Sequence, residues 1–426
     1  MSSGPQITGL VAREVLDCRG LPTVQVDLTL ADGTVGTADV PSGRSTGAAE
    51  ATELRDGGRR FGGFGVLGAV GNVNAEIRDS LVGRPLDDQA TLDAALIELD
   101  GTAQKSRLGA NAILGVSLAG ARARAASRGR PLYRDLSPEG HLLPAPLVNL
   151  INGGRHASND LDFQEFIVIP VGAGSILEAM QISSEVNLAL AEILLERYGK
   201  SALNTGDEGG YAPAISSPHE ALGLLHEAVA NAGHEGRFRY GLDCAASHLY
   251  DRESDTYEVA GERRDSEAMT DLYLELIRDY DVVTIEDPLD EEDFDGFAAL
   301  TETSGIQIVG DDLFVTNPER LRAGIERKAA SSLLWKVNQI GTLTEALEAA
   351  RIALASDYTV VVSERSGETE DPIIADLAVA LNAGQIKTGA PVRGERTAKY
   401  NRLIRIEEEL GDSAAYAGDV FEVAMA

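Results

Sequence analysis

Cysteine is nearly missing: Cys18 and Cys244, far apart, are the only two in 426 residues. Two thiols cannot build a disulfide framework or a structural zinc site, so both are expected to be reduced in a cytosolic chain. Basic residues are also scarce, with 37 Lys and Arg against 68 Asp and Glu and a formal net charge of −31. Such acidity repels nucleic acid and anionic membrane surfaces, and neither is expected as a partner. Long apolar runs are absent. Leu142 to Ile151 is the longest, it contains two prolines, and a bilayer span needs about 20 apolar residues. The start, MSSGPQITGL, lacks the charged and apolar stretches of a secretion signal, so a cytoplasmic location is expected. A chain this acidic must gather positive charge or metal ions locally if its substrate is an anion.

What is present divides into two patterns, and the expected units are 1–136 and 140–426. In the first, Val24 to Leu30 alternates apolar and polar residues, and Asp32-Gly33 supplies a hairpin turn, as in a half-buried strand pair. Gly71 to Leu81, Asp87 to Leu99 and Ala110 to Ala126 space apolar residues as helices do. A small α+β domain follows. Asp135 to Pro146, with three prolines and a glycine, reads as the linker. From residue 147 short apolar runs alternate with amphipathic stretches: Phe166–Pro170, Tyr240–Leu242, Val282–Ile285, Ile306–Val309, Leu333–Val337 and Thr359–Val362. Strands apolar on both faces and separated by helices predict an α/β domain, a parallel (β/α)8 barrel.

Polar residues follow these runs: Asp243, Glu286 with Asp287, Asp311 with Asp312, Lys336, Glu364-Arg365-Ser366 and Lys387. Most recur at the length of one strand-and-helix unit, with a longer interval between Asp243 and Glu286. In a barrel such residues converge on one mouth. Asp243, Glu286 and Asp311 could each be a helix N-cap. Together they would repel one another without a cation, and all-oxygen ligands favour Mg²⁺. Lys336 either snorkels to the rim or, desolvated beside a metal, becomes a general base. Arg365-Ser366-Gly367 suits an anion such as phosphate. The glycine-rich loops PSGRSTG (41–47), GGRH (153–156) and GDEGGYAP (206–213) are either ordinary turns or mobile segments that close on a ligand. His156, taken alone, could equally be a structural histidine.

Taken in order, PSGRSTG, GDEGGYAP, GLDCAAS, TIEDPLDEED, IVGDDLFVTNP, LLWKVNQIGTLTE, SERSGETED and IKTGAP resemble the enolase (phosphopyruvate hydratase) family. The likeness is collinear from Asp17-Cys18-Arg19-Gly20 to Arg405-Ile406-Glu407-Glu408-Glu409. It implies an enolase-type modified barrel, its second strand antiparallel, behind an N-terminal α+β capping domain. It implies two Mg²⁺ ions per active site, with Asp243, Glu286 and Asp311 on the tighter ion and Ser45 reaching the other. Lys336 matches the base that takes the C2 proton. Glu208, with Glu165 beside it, matches the acid that helps the C3 hydroxyl leave, which requires a raised pKa. Lys387 matches the group on the substrate carboxylate, Arg365 and Ser366 the phosphate contacts, and His156 a substrate-binding histidine. A homodimer or a dimer-based assembly is implied as well.

The chain departs from the family pattern at several points. Glu364 stands where the family has histidine in S-H-R-S-G, Arg44 replaces the lid alanine, Arg155 precedes His156, and Cys18 and Leu21 alter D-S-R-G-N-P. Glu364 would add a carboxylate near Glu165 and Glu208, and Arg44 with Arg155 could meet extra negative charge on the substrate. The expected function is therefore that of a Mg-dependent hydro-lyase removing water from a 2-phosphoglycerate-like substrate. These departures favour a modified analogue such as carboxyphosphonoglycerate in phosphonate antibiotic biosynthesis, as in a carboxyphosphonoenolpyruvate synthase branch, with Arg44 in the substrate site. The alternative is ordinary dehydration of 2-phosphoglycerate to phosphoenolpyruvate. A non-catalytic binding protein is disfavoured by the retained metal ligands and Lys336, and by an end, Val423-Ala424-Met425-Ala426, without a C-terminal lysine.

Overall fold

The structure, a computed structural model, describes residues 4–44 and 46–423. Its N-terminal part is an antiparallel meander of Ile7–Leu16, Pro22–Leu30 and Val35–Asp39, followed by helices. Val24, Val26, Leu28 and Leu30 all turn to one buried face, as their period-two spacing requires. That face packs on the helix Ala110–Ser127, which small residues keep thin. Contact is closest at Gly36, where a Cβ would stand 2.1 Å from the Ala119 carbonyl oxygen. The expected helix Gly71–Leu81 is present with a π-helical turn at Val73–Ile77.

The larger part is a closed eight-stranded barrel. Its strands, in chain order, are Ala145–Asn152, Glu165–Ile169, Arg239–Asp243, Val282–Glu286, Gln307–Gly310, Ser332–Trp335, Thr359–Ser363 and Gly384–Lys387. The eighth strand closes on the first in parallel register. The second runs antiparallel to both neighbours, so the all-parallel reading of the apolar runs fails at this strand and the enolase-type arrangement holds. The reason is the connection. Residues 153–164 contain one 3-10 turn and no crossover helix, so the chain must return antiparallel. Two packed helices, Ile176–Tyr198 and Pro218–Asn231, then carry it to the third strand. The bend between them delivers Glu208 to the mouth.

Two expectations about segments need adjustment. The tail of the expected linker is structured: Leu142–Leu143 pairs with Ala415–Tyr416 and the first barrel strand starts at Ala145. Pro146 is tolerated because it lies next to the strand's first residue. The long Asp243–Glu286 interval holds an extra hairpin, Thr256–Val259 with Glu262–Arg264, before the helix Ser266–Tyr280. Inside the barrel, Leu147, Ile167, Val283, Val309, Leu334 and Val361 fill the core, and Phe421 packs with them. Among the described residues, no helix is long and apolar enough to cross a membrane.

The tight Gly36 contact gives a stability test. Gly36→Ala forces the sheet off the helix and should cost about 1–3 kcal/mol in urea unfolding. Gly71→Ala, with nothing within 4 Å of its Cβ position, should be neutral or slightly stabilising, because a helical glycine is replaced.

Candidate active site

The barrel gathers the expected side chains at one mouth. Asp243, Glu286, Ser363 and Lys387 end their strands, while Asp311 and Lys336 lie one residue beyond theirs. Glu165 opens the second strand, and that strand's reversed direction brings its first residue to the mouth, opposite Asp243. His156, Glu165, Glu208, Asp243, Lys336, Glu364, Arg365, Ser366 and Lys387 line a single pocket, with Gln164 and Ser363. Ser45 lies outside the described residues.

Charge decides how these groups pair. Glu165, Glu208, Asp243, Glu286 and Asp311 are all buried, and so is Lys387. The Lys387 ammonium sits 2.7 Å from Glu286 Oε2, 2.9 Å from Asp243 Oδ2 and 3.1 Å from Glu165 Oε1. Burial works against its charge, yet these carboxylates outweigh it and hold Lys387 well above the ordinary lysine range. Lys336 Nζ lies 2.5 Å from Asp311 Oδ2. Burial would lower Lys336, but Asp311 and then Glu286 keep it raised. In this state it is an ammonium rather than the depressed amine expected from its strand position, because Asp311 is its partner. Gln339 and Gln164 hold Asp311 and Asp243 in place at 2.8 and 3.0 Å.

The acid pair also divides differently from expectation. Glu208 accepts from Asn149 and Asn152 at 2.9 and 3.1 Å, and His156 Nδ1 stands 3.0 Å from its other oxygen. Burial opposes its charge, but His156 and Lys387 hold Glu208 well below the usual carboxylate range. Glu165 is pushed well up, by burial first and by the Glu208 charge second. Of the two, the raised carboxyl is thus Glu165, because Glu208 faces His156 and takes the Asn149 and Asn152 hydrogen bonds.

Carboxylates that converge on one ammonium offer oxygen ligands to a divalent cation, and among the described residues Glu165 Oε2 is a buried oxygen without a hydrogen-bond partner. The donor set is all oxygen, and its negative charge exceeds that of the two lysines; both properties fit Mg²⁺. Asp287, although close to Asp311 and Asp312, is a poor ligand. Its two oxygens already accept the Asp311 and Asp312 backbone N–H groups at 2.8 Å, and its role is to shape that turn.

The departures from the family pattern find partners within the protein. Glu364 is ion-paired with Arg396, whose side chain is fully buried. Arg44 does not line the pocket. Its Nε is 3.0 Å from Asp207 Oδ2, and it donates to the Arg155 carbonyl at 3.2 Å. Arg155 lines a neighbouring cavity of about 620 Å³ instead. Arg365 makes a two-pronged pair with Glu50 at 3.0 and 3.1 Å. Ser366 Oγ accepts from the Arg44 backbone N–H at 2.9 Å. The N-terminal part enters the site here, since Ser42 and Gly367 exchange both backbone hydrogen bonds at 2.9 Å. Glu50, Gln164, Asn149, Asn152 and Arg396 escaped the sequence reading. For Arg396 a signal existed: Tyr400, Leu403, Ile406 and Leu410 form a buried helical stripe, and its backward extension passes through Lys399 and Arg396.

A barrel mouth with buried carboxylates, paired lysines and the adjoining Arg365 and Ser366 suits an enzyme of acid–base chemistry. The comparisons give this class its family. The enolase C-terminal TIM barrel domain matches residues 140–425 and the enolase N-terminal domain matches residues 7–136. Proteins named enolase from Methanocaldococcus jannaschii, Methanopyrus kandleri and Pyrococcus furiosus are 57 %, 56 % and 54 % identical to the chain. The matches cover 98 %, 97 % and 99 % of this chain and 98 %, 98 % and 99 % of those proteins. The chain belongs to the enolase family and is a carbon–oxygen hydro-lyase.

The cation site is testable without turnover. After chelation, Mg²⁺ at a hundredfold excess over its Kd should stabilise the protein by about 2.7 kcal/mol. Asp311→Asn should lose most of that shift in the melting midpoint. A midpoint indifferent to Mg²⁺ would remove the metal from the site.

Proposed function

We propose that this enolase-family protein dehydrates 2-phosphoglycerate to phosphoenolpyruvate. The observation that carries the reading is the pairing of Glu364 with buried Arg396 and of Arg44 with Asp207. A modified substrate would need the extra charges of Glu364 and Arg44 free to meet it, and these charges are answered inside the protein. Two Mg²⁺ ions per site, a cytoplasmic setting and a two-unit organisation, 1–136 and 140–426, belong to the same proposal.

Asp243, Glu286 and Asp311 would hold the tighter Mg²⁺, which would supply countercharge for an enolate; Asp311, engaged as a ligand, would no longer pair with Lys336. The Lys336 amine, once deprotonated, takes the C2 proton. Arg365 and Ser366 hold the phosphate, Arg365 as a bidentate donor that exchanges Glu50 for the ligand. Lys387 orients the substrate carboxylate. His156 sits on the Glu208 side of the pocket and helps orient substrate there. Glu165 and Glu208 share one proton between them, and it passes to the departing C3 hydroxyl, which leaves as water. Base and acid act from different strands and loops, so the two proton transfers are separable.

A homodimer is also proposed. Leu177, Leu188 and Leu195 share one face of the helix Ile176–Tyr198 and are 57 %, 64 % and 45 % exposed. A second copy of the chain would cover that stripe, and sedimentation should give a dimer or a multiple of one.

Kinetics test the reaction. Wild-type protein should turn over 2-phosphoglycerate efficiently, and Glu364→His with Arg44→Ala should leave kcat/KM unchanged or lower. An increase in that double variant would restore the modified-substrate reading. Lys336→Ala should stop exchange of the C2 proton with solvent. Glu208→Gln should depress dehydration by about 10²–10⁴-fold while some exchange survives.

A further inference from the structure

The helix Gly394–Leu410 buries cations where its stripe would otherwise continue with apolar groups. Arg396 and Lys399, both 0 % exposed, lie three residues apart on the face turned toward the tail of the seventh strand. Lys399 Nζ donates to Glu368 Oε2 at 2.8 Å and to the Thr369 carbonyl at 2.6 Å. Glu368 in turn accepts the Arg365 backbone N–H at 3.1 Å. Arg396 does more. One end of its guanidinium pairs with Glu364 and donates to the Arg365 carbonyl at 3.0 Å. The other donates to the Ser366 carbonyl at 2.9 Å and the Asp207 carbonyl at 3.0 Å. Thus a single planar group ties both residues of the anion tail to the loop that carries Glu208.

We propose that Arg396, neutralised by Glu364, is a positioning residue for anion recognition in this enzyme. It touches no substrate. It fixes the carbonyls behind Arg365 and Ser366 and the one before Glu208, so the phosphate contacts and the acid loop hold one relative geometry before substrate arrives. Five N–H donors in a rigid fork suit it to that task. A lysine can pair with Glu364 but cannot span three carbonyls on two segments. The inference rests on the reading of Arg365 and Ser366 as phosphate contacts, and the control below tests that reading separately.

The variants are Arg396→Lys, Arg396→Met, and Arg396→Met combined with Glu364→Gln. Arg396→Met alone strands a buried carboxylate and should lower the melting midpoint, whereas the double variant removes both charges and should regain much of it. The decisive readouts are KM for 2-phosphoglycerate, kcat, and the competitive inhibition constant of inorganic phosphate. Loss of positioning should raise KM and the phosphate constant about tenfold and lower kcat/KM by up to about a hundredfold in the folded double variant. Arg396→Lys should fall between it and the wild type. Ser366→Ala is the control: an unchanged phosphate constant there would overturn the phosphate reading itself. If Ser366→Ala weakens phosphate while Arg396→Lys or the double variant keeps wild-type KM and phosphate constants, the pair only stabilises the fold and the proposal fails.

Discussion

Everything at the barrel mouth depends on how buried negative charge is neutralised. Glu165, Glu208, Asp243, Glu286 and Asp311 converge there, and removing isolated carboxylates from water costs far more than a fold can absorb. The protein answers with lysines and amide donors, and burial pushes Glu165 and Glu286 toward their neutral forms. Lys387 takes three carboxylates, Lys336 takes one, and Glu208 is solvated by two asparagines and faces His156. Glu165 and Glu286 are both pushed well above the usual carboxylate range, by burial first and then by the Glu208 and Asp243 charges. The same excess of negative charge keeps both lysines charged.

Neutralisation extends one layer outward. Glu364 is paired with Arg396, Glu368 with Lys399, and Glu50 with Arg365. Of these, Glu364 and Arg365 read from the sequence as candidates for substrate contact, and the others did not. Within the fold these pairs brace the chain segments that carry the substrate contacts. Glu364 and Arg44, extra charges of this chain relative to the family pattern, are answered within its architecture by Arg396 and Asp207.

Much of this was legible because barrel chemistry sits where apolar runs end. Asp243, Glu286, Asp311, Lys336 and Lys387 each follow such a run. Pattern alone failed where direction or partnership mattered. The second strand's reversal is set by a loop of twelve residues without a crossover helix, so Glu165, at the start of a strand, carried no strand-end signal. The first strand was partly concealed by Pro144 and Pro146. Protonation states could not be read at all, since the His156 and Asn149 partners of Glu208 come from separate segments. Arg396 was missed because its partners lie on the seventh strand's tail and the Glu208 loop, while locally it looks like one more charged residue on a polar helix.

The two-way backbone exchange between Ser42 and Gly367 makes the boundary between the two parts an evolutionary constraint as well as a structural one. A recombination event that brought in a foreign N-terminal part would carry in half of the framework around the anion tail, including the Arg44 N–H on Ser366 and Glu50 on Arg365. Inheritance should therefore treat the two parts as a single module, whose histories cannot diverge without remaking the surroundings of Arg365 and Ser366.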